Sequence, residues 1–303
     1  MKRPEPLEIF QPTSLREASE TIEKNGPGGY FLAGGTDLVI AIKEKGLAPR
    51  YVVDLKRIPS LGGIREQDDG SLSIGALATM REVEVSPLIR TRYPFLSQSA
   101  AEVGSIQIRN RATIGGNMAN ATPSADVAPA LLVLDAVAAI AGADGERRVP
   151  LEEFFVGPGK TILKAGEILT AVSIPDTPPG LRGDYIKFSP REMMDLAYIG
   201  VAVALTLNGD GKRCDKVRIA LGAVSPTPMR ARKAEAMLRN RSLTEELAER
   251  AGEEAARECK PISDVRSSAE YRREMVRVNT KRALLNAGFS RPGSWIERRD
   301  RRY

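Results

Sequence analysis

Two glycine pairs in similar company are the first residues of this chain that could do chemistry. In FLAGGTDL, residues 31–38, an apolar strand-like run enters Gly34 and Gly35, and Thr36 and Asp37 open a helical pattern. In ATIGGNMANATPSADVAPALLVLDA, residues 112–136, Thr113 and Ile114 precede Gly115 and Gly116, and Asn117 follows. Glycine costs roughly 1 kcal/mol relative to alanine inside a helix or strand, so such pairs need a reason. A turn stripped of side chains lets a ligand approach backbone N–H groups, and a helix start adds unpaired donors and about half a positive charge. Two such loops facing each other would cradle a diphosphate. A tight turn is the plain alternative for either pair alone. After the second pair, the next helix is expected only beyond NATPSAD.

Other nucleotide fingerprints do not fit. No GxGxxG lies between a strand and a helix. GPGKT at 157–161 looks like part of a P-loop, but the pattern needs glycine where Phe154 stands and no strong helix follows Thr161. Histidine is absent, which removes Ser-His-Asp and Cys-His catalysis and imidazole metal sites. Cys214 and Cys259 are the only cysteines and have no CxxC spacing, so neither a disulfide framework nor an internal iron–sulfur cluster is supported. Any redox chemistry here needs an organic cofactor.

The elements that must position these residues can be read in outline. SLREASETIEKN (14–25) is a capped helix, YFLAGG a strand, and TDLVIAIKEKG a helix stopped by Gly46. YVVDLKRI (51–58) is expected to be a strand, and SLSIGALATMREVEVS a strand leading into a helix. Residues 94–103 read as a helix followed by a loop through GSIQIRNRA. AVAAIAG, the ADGERR turn and EILTAVSIP (167–175) predict strands, and DTPPG (176–180) is the candidate linker. Beyond it, GDYIKFS, LAYIGVAVALTLNGDGK and KVRIALGAVSPTP read as strands, with NGDG as a turn. Amphipathic helices are expected over 230–259 and 268–287. Strands followed by helices predict an α+β unit.

The 303 residues allow two domains, and the 42% apolar and 28% charged fractions are ordinary for a globular chain. No apolar run approaches the roughly 18 residues of a membrane span, and the N-terminus lacks a signal-like apolar region. The expectation is a cytoplasmic protein without a transmembrane segment. The net charge is +6, but five arginines sit in SRPGSWIERRDRRY at the end of the chain. The rest is too weakly basic for a nucleic-acid face, and 289–303 is read as a solvated or partner-docking tail.

Together these segments resemble the medium, flavin-carrying subunits of molybdenum hydroxylases, the xanthine dehydrogenase and carbon monoxide dehydrogenase family. FLAGGTDL and ATIGGNMANATPSADVAPALLVLDA are similar to its two FAD-binding segments. QIRNRATIGGN, FFVGPGKTIL, GEILTAVSIP, KFSPREMMDLAYIGVAVAL and AEYRREMVRVNTKRAL follow in the family's order. The resemblance implies a two-lobed FAD-binding domain of the p-cresol methylhydroxylase type over 1–177 and a smaller α+β domain, antiparallel sheet plus helices, over 184–288. It implies FAD in this chain. A molybdopterin-type cofactor would belong to a large partner subunit and [2Fe–2S] clusters to a small one, in a dimer of heterotrimers.

Carried over by residue, Ala33, Gly34, Gly35, Thr36 and Asp37 would line the diphosphate with Thr113, Ile114, Gly115, Gly116 and Asn117. Leu32, Asn120 and Ser124 join the cofactor-binding set. Asp126 matches an acidic FAD position, with an N-cap as its structural alternative. Leu169 matches an apolar position near the cofactor, with core packing as the alternative. Lys187 matches a lysine near the flavin ring, where it would favour an anionic reduced flavin. Arg191 and Asp195 would position that strand or the ring. Some members carry an aromatic residue directly after this aspartate; here it is Leu196, and Tyr198 is the available substitute. The resemblance implies an electron-transfer subunit with no catalytic residue of its own. A self-sufficient FAD-dependent reductase and a basic interaction module are the alternatives.

Overall fold

The computed structural model describes residues 7–191, 194–209 and 213–289. The basic tail from 290 onward and the second half of the NGDG turn lie outside the described residues. Among the described residues, three larger sheets carry the molecule, beside a two-stranded antiparallel ribbon of Phe155–Gly157 and Lys160–Thr161.

The first is parallel and three-stranded, with Tyr51–Asp54 between Glu8–Phe10 and Gly29–Leu32. Parallel neighbours need crossovers, which the helices Leu15–Asn25 and Leu38–Glu44 supply. Ser14 caps the first helix by accepting from the Glu17 N–H. The middle strand is buried along its whole length. It stops at Asp54, short of the expected residue 58, because the Asp54 carboxylate accepts the Lys56 N–H and turns the chain into a 3-10 turn, Leu55–Arg57.

The second sheet is antiparallel, in the order Ile64–Glu66, Leu72–Gly75, Ile168–Ile174, Val137–Gly142, Gly145–Pro150. Between Gly75 and Val137 the chain leaves this sheet and builds a layer of short helices, whose apolar residues form the largest buried cluster. One of them, Ile106–Arg109, replaces part of the expected loop. Arg109 is the reason: its guanidinium is buried, donating to Glu84 at 2.8 Å and to the Val103 carbonyl at 3.2 Å.

The third sheet runs Arg182–Phe188, Ile199–Leu207, Cys214–Gly222, Met229–Arg230 and is covered by Arg232–Leu238, Glu245–Glu258 and Ala269–Phe289. The helix expected over 230–259 is broken at 239–244. There the Asn240 N–H donates to Cys214 and the Cys214 N–H to the Arg241 carbonyl, so this stretch edges the sheet before Thr244 caps the next helix.

Strand Ile199–Leu207 sorts its side chains by parity. Ile199, Val201, Val203 and Leu205 enter the core beneath the C-terminal helices, whereas Ala202 and Ala204 join the cluster of the preceding half. That second face is made of small residues: a Cβ on Gly183 would lie 2.4 Å from the Phe95 ring, and one on Gly222 2.9 Å from Pro129. The two halves of the chain therefore share the larger of these clusters, while the C-terminal helices keep a core of their own. Polar contacts add to it, with Ala223 N–H donating to the Pro123 carbonyl at 2.7 Å and Arg230 reaching Asp135 at 2.9 Å. The architecture is the expected mixed one, two lobes followed by an antiparallel sheet with helices. Among the described residues, no helix is long and apolar enough to cross a membrane, and no cluster of acidic and cysteine side chains could hold a metal ion.

Candidate cofactor site

The two glycine segments meet. They line one cavity of about 360 Å³, with Ala33, Gly34, Gly35, Thr36 and Asp37 on one wall and Thr113, Gly116, Asn117 and Asn120 on the other. The first loop is held open by its own chain. Gly35 has φ 79°, which favours glycine, and Leu32 sits beneath it. A Cβ on Gly34 would lie 1.8 Å from the Arg111 carbonyl oxygen. Lys56 donates to the Ala33 carbonyl at 3.3 Å and pairs with Asp54, fixing the entry to the loop.

The helical ladder after this loop starts only with Val39 N–H donating to Gly35. The N–H groups of Gly35, Thr36 and Asp37 donate to no acceptor among the described residues. Asp37 precedes the helix but its carboxylate caps nothing. Burial pushes that carboxyl above the usual range, with Lys45 pulling it partly back.

The second glycine pair is built differently from the expectation. TIGGN is not a loop before a distant helix: Ile114–Asn120 is itself helical, with Thr113 as N-cap. Ile114 N–H donates to Ala78, Gly115 N–H to Ala76, Gly116 N–H to the Thr113 hydroxyl and Asn117 N–H to the Thr113 carbonyl. All the N-terminal donors that this segment was expected to offer a ligand are used by the protein. A Cβ on Gly115 would lie 2.5 Å from that of Ala76, so its bareness also serves packing. What remains is Gly116, which lines the cavity, and the Asn117 side chain, whose Oδ1 is buried and has no hydrogen-bond partner among the described residues. Asn120 donates to Thr122 at 2.9 Å.

Several predicted residues stand elsewhere. Ile114 and Gly115 are buried and do not line the cavity, and neither does Leu32. Leu169 is 5% exposed in the core beneath the second sheet, which is its packing alternative. Asp126 does not cap its helix; its carboxylate accepts from Tyr185 at 3.1 Å and from Lys187 at 2.9 Å. Lys187 is not a solvated lysine, because it is buried and also donates to the Glu102 carbonyl at 2.9 Å.

Ser124 lines a second cavity of about 250 Å³ at the junction of the two halves, with Leu196 and Arg272 on the opposite wall. Tyr198, the available aromatic substitute, is not among the residues that line this cavity. Its ring is engaged by Phe188 and by the Arg272 guanidinium at 5.8 Å. Arg191 and Asp195 pair with each other at 3.2 Å.

Sequence reasoning missed several contributors. Gly159, from the rejected GPGKT motif, lines the first cavity at φ 67° and donates to the Ala121 carbonyl at 3.0 Å. The glycine after a proline turn was the signal. Tyr30 and Phe31 also line that cavity, and nothing in their strand-like pattern marked them.

Comparison with known proteins places these observations. Residues 5–177 match the family described as FAD binding domain in molybdopterin dehydrogenase, and residues 184–287 match the CO dehydrogenase flavoprotein C-terminal domain. The chain is 34% identical to the xanthine dehydrogenase FAD-binding subunit of Escherichia coli O157:H7, over 90% of this chain and 93% of that one. It is 32% identical to the carbon monoxide dehydrogenase medium chain of Hydrogenophaga pseudoflava, covering 95% and 99% respectively. Carbon monoxide dehydrogenase from that organism superposes with a TM-score of 0.90 at 33% identity, over 95% of this chain and 99% of that one. Quinoline 2-oxidoreductase from Pseudomonas putida 86 gives 0.87 at 32% identity, over 95% and 98%.

Proposed function

Since this chain belongs to the family of FAD-binding medium subunits of molybdenum hydroxylases, we propose that it is the electron-transfer subunit of such a complex. Electrons enter from [2Fe–2S] clusters of a small partner subunit and leave to an external acceptor, while substrate is oxidised on a large molybdopterin-binding subunit. The assembly is a dimer of heterotrimers. The same reading takes 1–177 as the FAD domain and 184–288 as the second domain.

The observation that carries the proposal is the set of unpartnered N–H groups at Gly35, Thr36 and Asp37, opening on a cavity with a bare Gly116 opposite. These residues fit FAD. The free N–H groups and the Thr36 hydroxyl suit diphosphate oxygens, and Asn117 offers an amide whose oxygen lacks a partner. The Asp37 carboxylate would repel a diphosphate and suits a ribose hydroxyl instead. FAD, when bound, supplies one- and two-electron redox chemistry, which needs no acid–base dyad from the protein. Asp126 and Lys187 line neither cavity but form a buried, compensated charge pair, and the reading assigns that pair to the flavin end. The second cavity, bounded by Ser124 and Leu196, gives the acceptor its entrance.

The test is the visible spectrum of the purified chain, with mass identification of whatever denaturation releases. Stoichiometric FAD, together with co-purifying molybdenum and iron–sulfur subunits, is the expected result. A colourless chain that takes up no FAD even beside those partners overturns the proposal. A chain that turns over a substrate with reduced nicotinamide alone, without partners, makes it a self-sufficient reductase instead.

A further inference from the structure

The contact that holds Asp126 comes from a residue outside the expected site and rests on the FAD reading above. Tyr185 and Lys187 alternate along strand Arg182–Phe188 and so share the face turned toward the preceding half. The Tyr185 hydroxyl donates to Asp126 Oδ1 at 3.1 Å, while the Lys187 ammonium donates to Oδ2 at 2.9 Å. Each carboxylate oxygen thus has one donor from the same strand.

Tyr185 is itself held firmly. It is 1% exposed, and its carbonyl accepts from Gln98 at 2.8 Å. The neighbouring strand has glycine at 200, where a Cβ would come within 3.2 Å of the Tyr185 hydroxyl. Asp126 forms no cap to its own helix, so these two donors orient it.

We propose that Tyr185 is a positioning residue for the cofactor site: its hydroxyl holds the Asp126 carboxylate against Lys187 across the junction of the two halves, and through that pair governs FAD affinity. The groups facing Asp126 are Tyr185 and Lys187 from the strand and Glu102 from the helical layer. Burial pushes the Asp126 carboxyl up to about 6; Lys187 and Tyr185 pull it back, and Glu102 opposes them. Burial also raises the Tyr185 phenol well above its ordinary range, so the hydroxyl stays a donor at working pH. Without that donor Asp126 takes its proton at higher pH, and Lys187 is left buried beside a neutral carboxyl.

The experiment measures FAD dissociation constants by flavin fluorescence from pH 5 to 8 on the full chain. It compares the wild type with Tyr185→Phe, Asp126→Asn and the double variant, each checked for native circular dichroism. Wild-type affinity is expected to fall as pH drops through about 6, the value to which Asp126 is raised. Tyr185→Phe moves that fall upward by about half to one pH unit, a roughly three- to tenfold loss between the two midpoints. Asp126→Asn flattens the profile, and the double variant matches it.

A Tyr185→Phe loss equal at every pH, or one that adds fully to Asp126→Asn, shows a packing role only and overturns the proposal. So does an Asp126→Asn profile identical to wild type, which leaves FAD binding standing. A wild type that binds no FAD fails the functional reading as well. If Tyr185→Phe does not fold, Gly200→Ala presses on the same hydroxyl and must shift the profile in the same direction.

Discussion

The two glycine pairs look alike in sequence and line the same cavity, yet they spend their backbones differently. At 34–35 the chain leaves three successive N–H groups, those of Gly35, Thr36 and Asp37, without a protein acceptor among the described residues. At 115–116 every N–H from Ile114 to Asn117 is consumed by Ala76, Ala78 or Thr113. Within each pair, moreover, one glycine is bare for the chain's own packing, although Gly34 also lines the cavity. Gly34 and Gly115 are bare because Arg111 and Ala76 occupy the space a side chain would need. Bareness marks close approach; it does not say whether the visitor is a ligand or the protein's own backbone.

Substitutions can separate the two uses. The largest effect is expected from Gly34→Ala, because backbone cannot swing aside from a contact of 1.8 Å. Unfolding of the FAD-free chain by urea should show a loss of about 3 kcal/mol or more, as for severe overpacking. Gly115→Ala should cost about 2 kcal/mol by the same measurement and the same mechanism. If either is tolerated without loss, the packing account of these glycines fails.

Gly116→Ala reads the other way. Its Cβ would meet the Thr113 hydroxyl at 2.9 Å and the Ala33 Cβ at 3.8 Å, and alanine is favoured over glycine within a helix by about 1 kcal/mol. Stability should therefore change by less than about 1 kcal/mol, while FAD affinity falls roughly tenfold or more, about 1.4 kcal/mol of binding. Equal loss in both would erase the distinction between the pairs. Thr113→Val removes the acceptor for Gly116 N–H and should cost about 1 kcal/mol of stability.

The smallest effect expected lies away from the site and provides a control. The Arg147 guanidinium beside Glu167 holds that carboxyl down at about 2, with the Lys164 N–H assisting and burial opposing. Because the folded value is depressed, the contribution is present above the ordinary 4.5 and is lost as pH falls from there toward 2. Glu167→Gln should cost under about 1 kcal/mol near pH 7, after allowing for solvent screening at Arg147, and the cost should vanish as pH falls through about 2. FAD affinity should be unchanged.

Much of this architecture was legible because it depends on local periodicity. Ser14 with Glu17, Gly46 after a lysine-rich turn, and the alternation along 199–207 each declare an element without tertiary help. The errors have a common cause. TIGGN reads as loop because two glycines disfavour helix, and only the pairing of Ile114 and Gly115 with the distant 76–78 segment makes it a helix start. Ile106–Arg109 is likewise fixed by Glu84, 25 residues from Arg109. Asp126 was readable as important, but its partner Tyr185 was not, since an aromatic residue in a strand signals only core.

The parity of strand Ile199–Leu207 also bears on how modular this chain is. A sheet that gives one face to each neighbour leaves neither half with a finished surface. Cutting at Gly180 would expose Tyr185, Ala202, Ala204 and Ala220 on one fragment and their buried partners on the other. Such fragments should seek each other out, and the C-terminal half should not serve as a cartridge transferable to an unrelated flavoprotein.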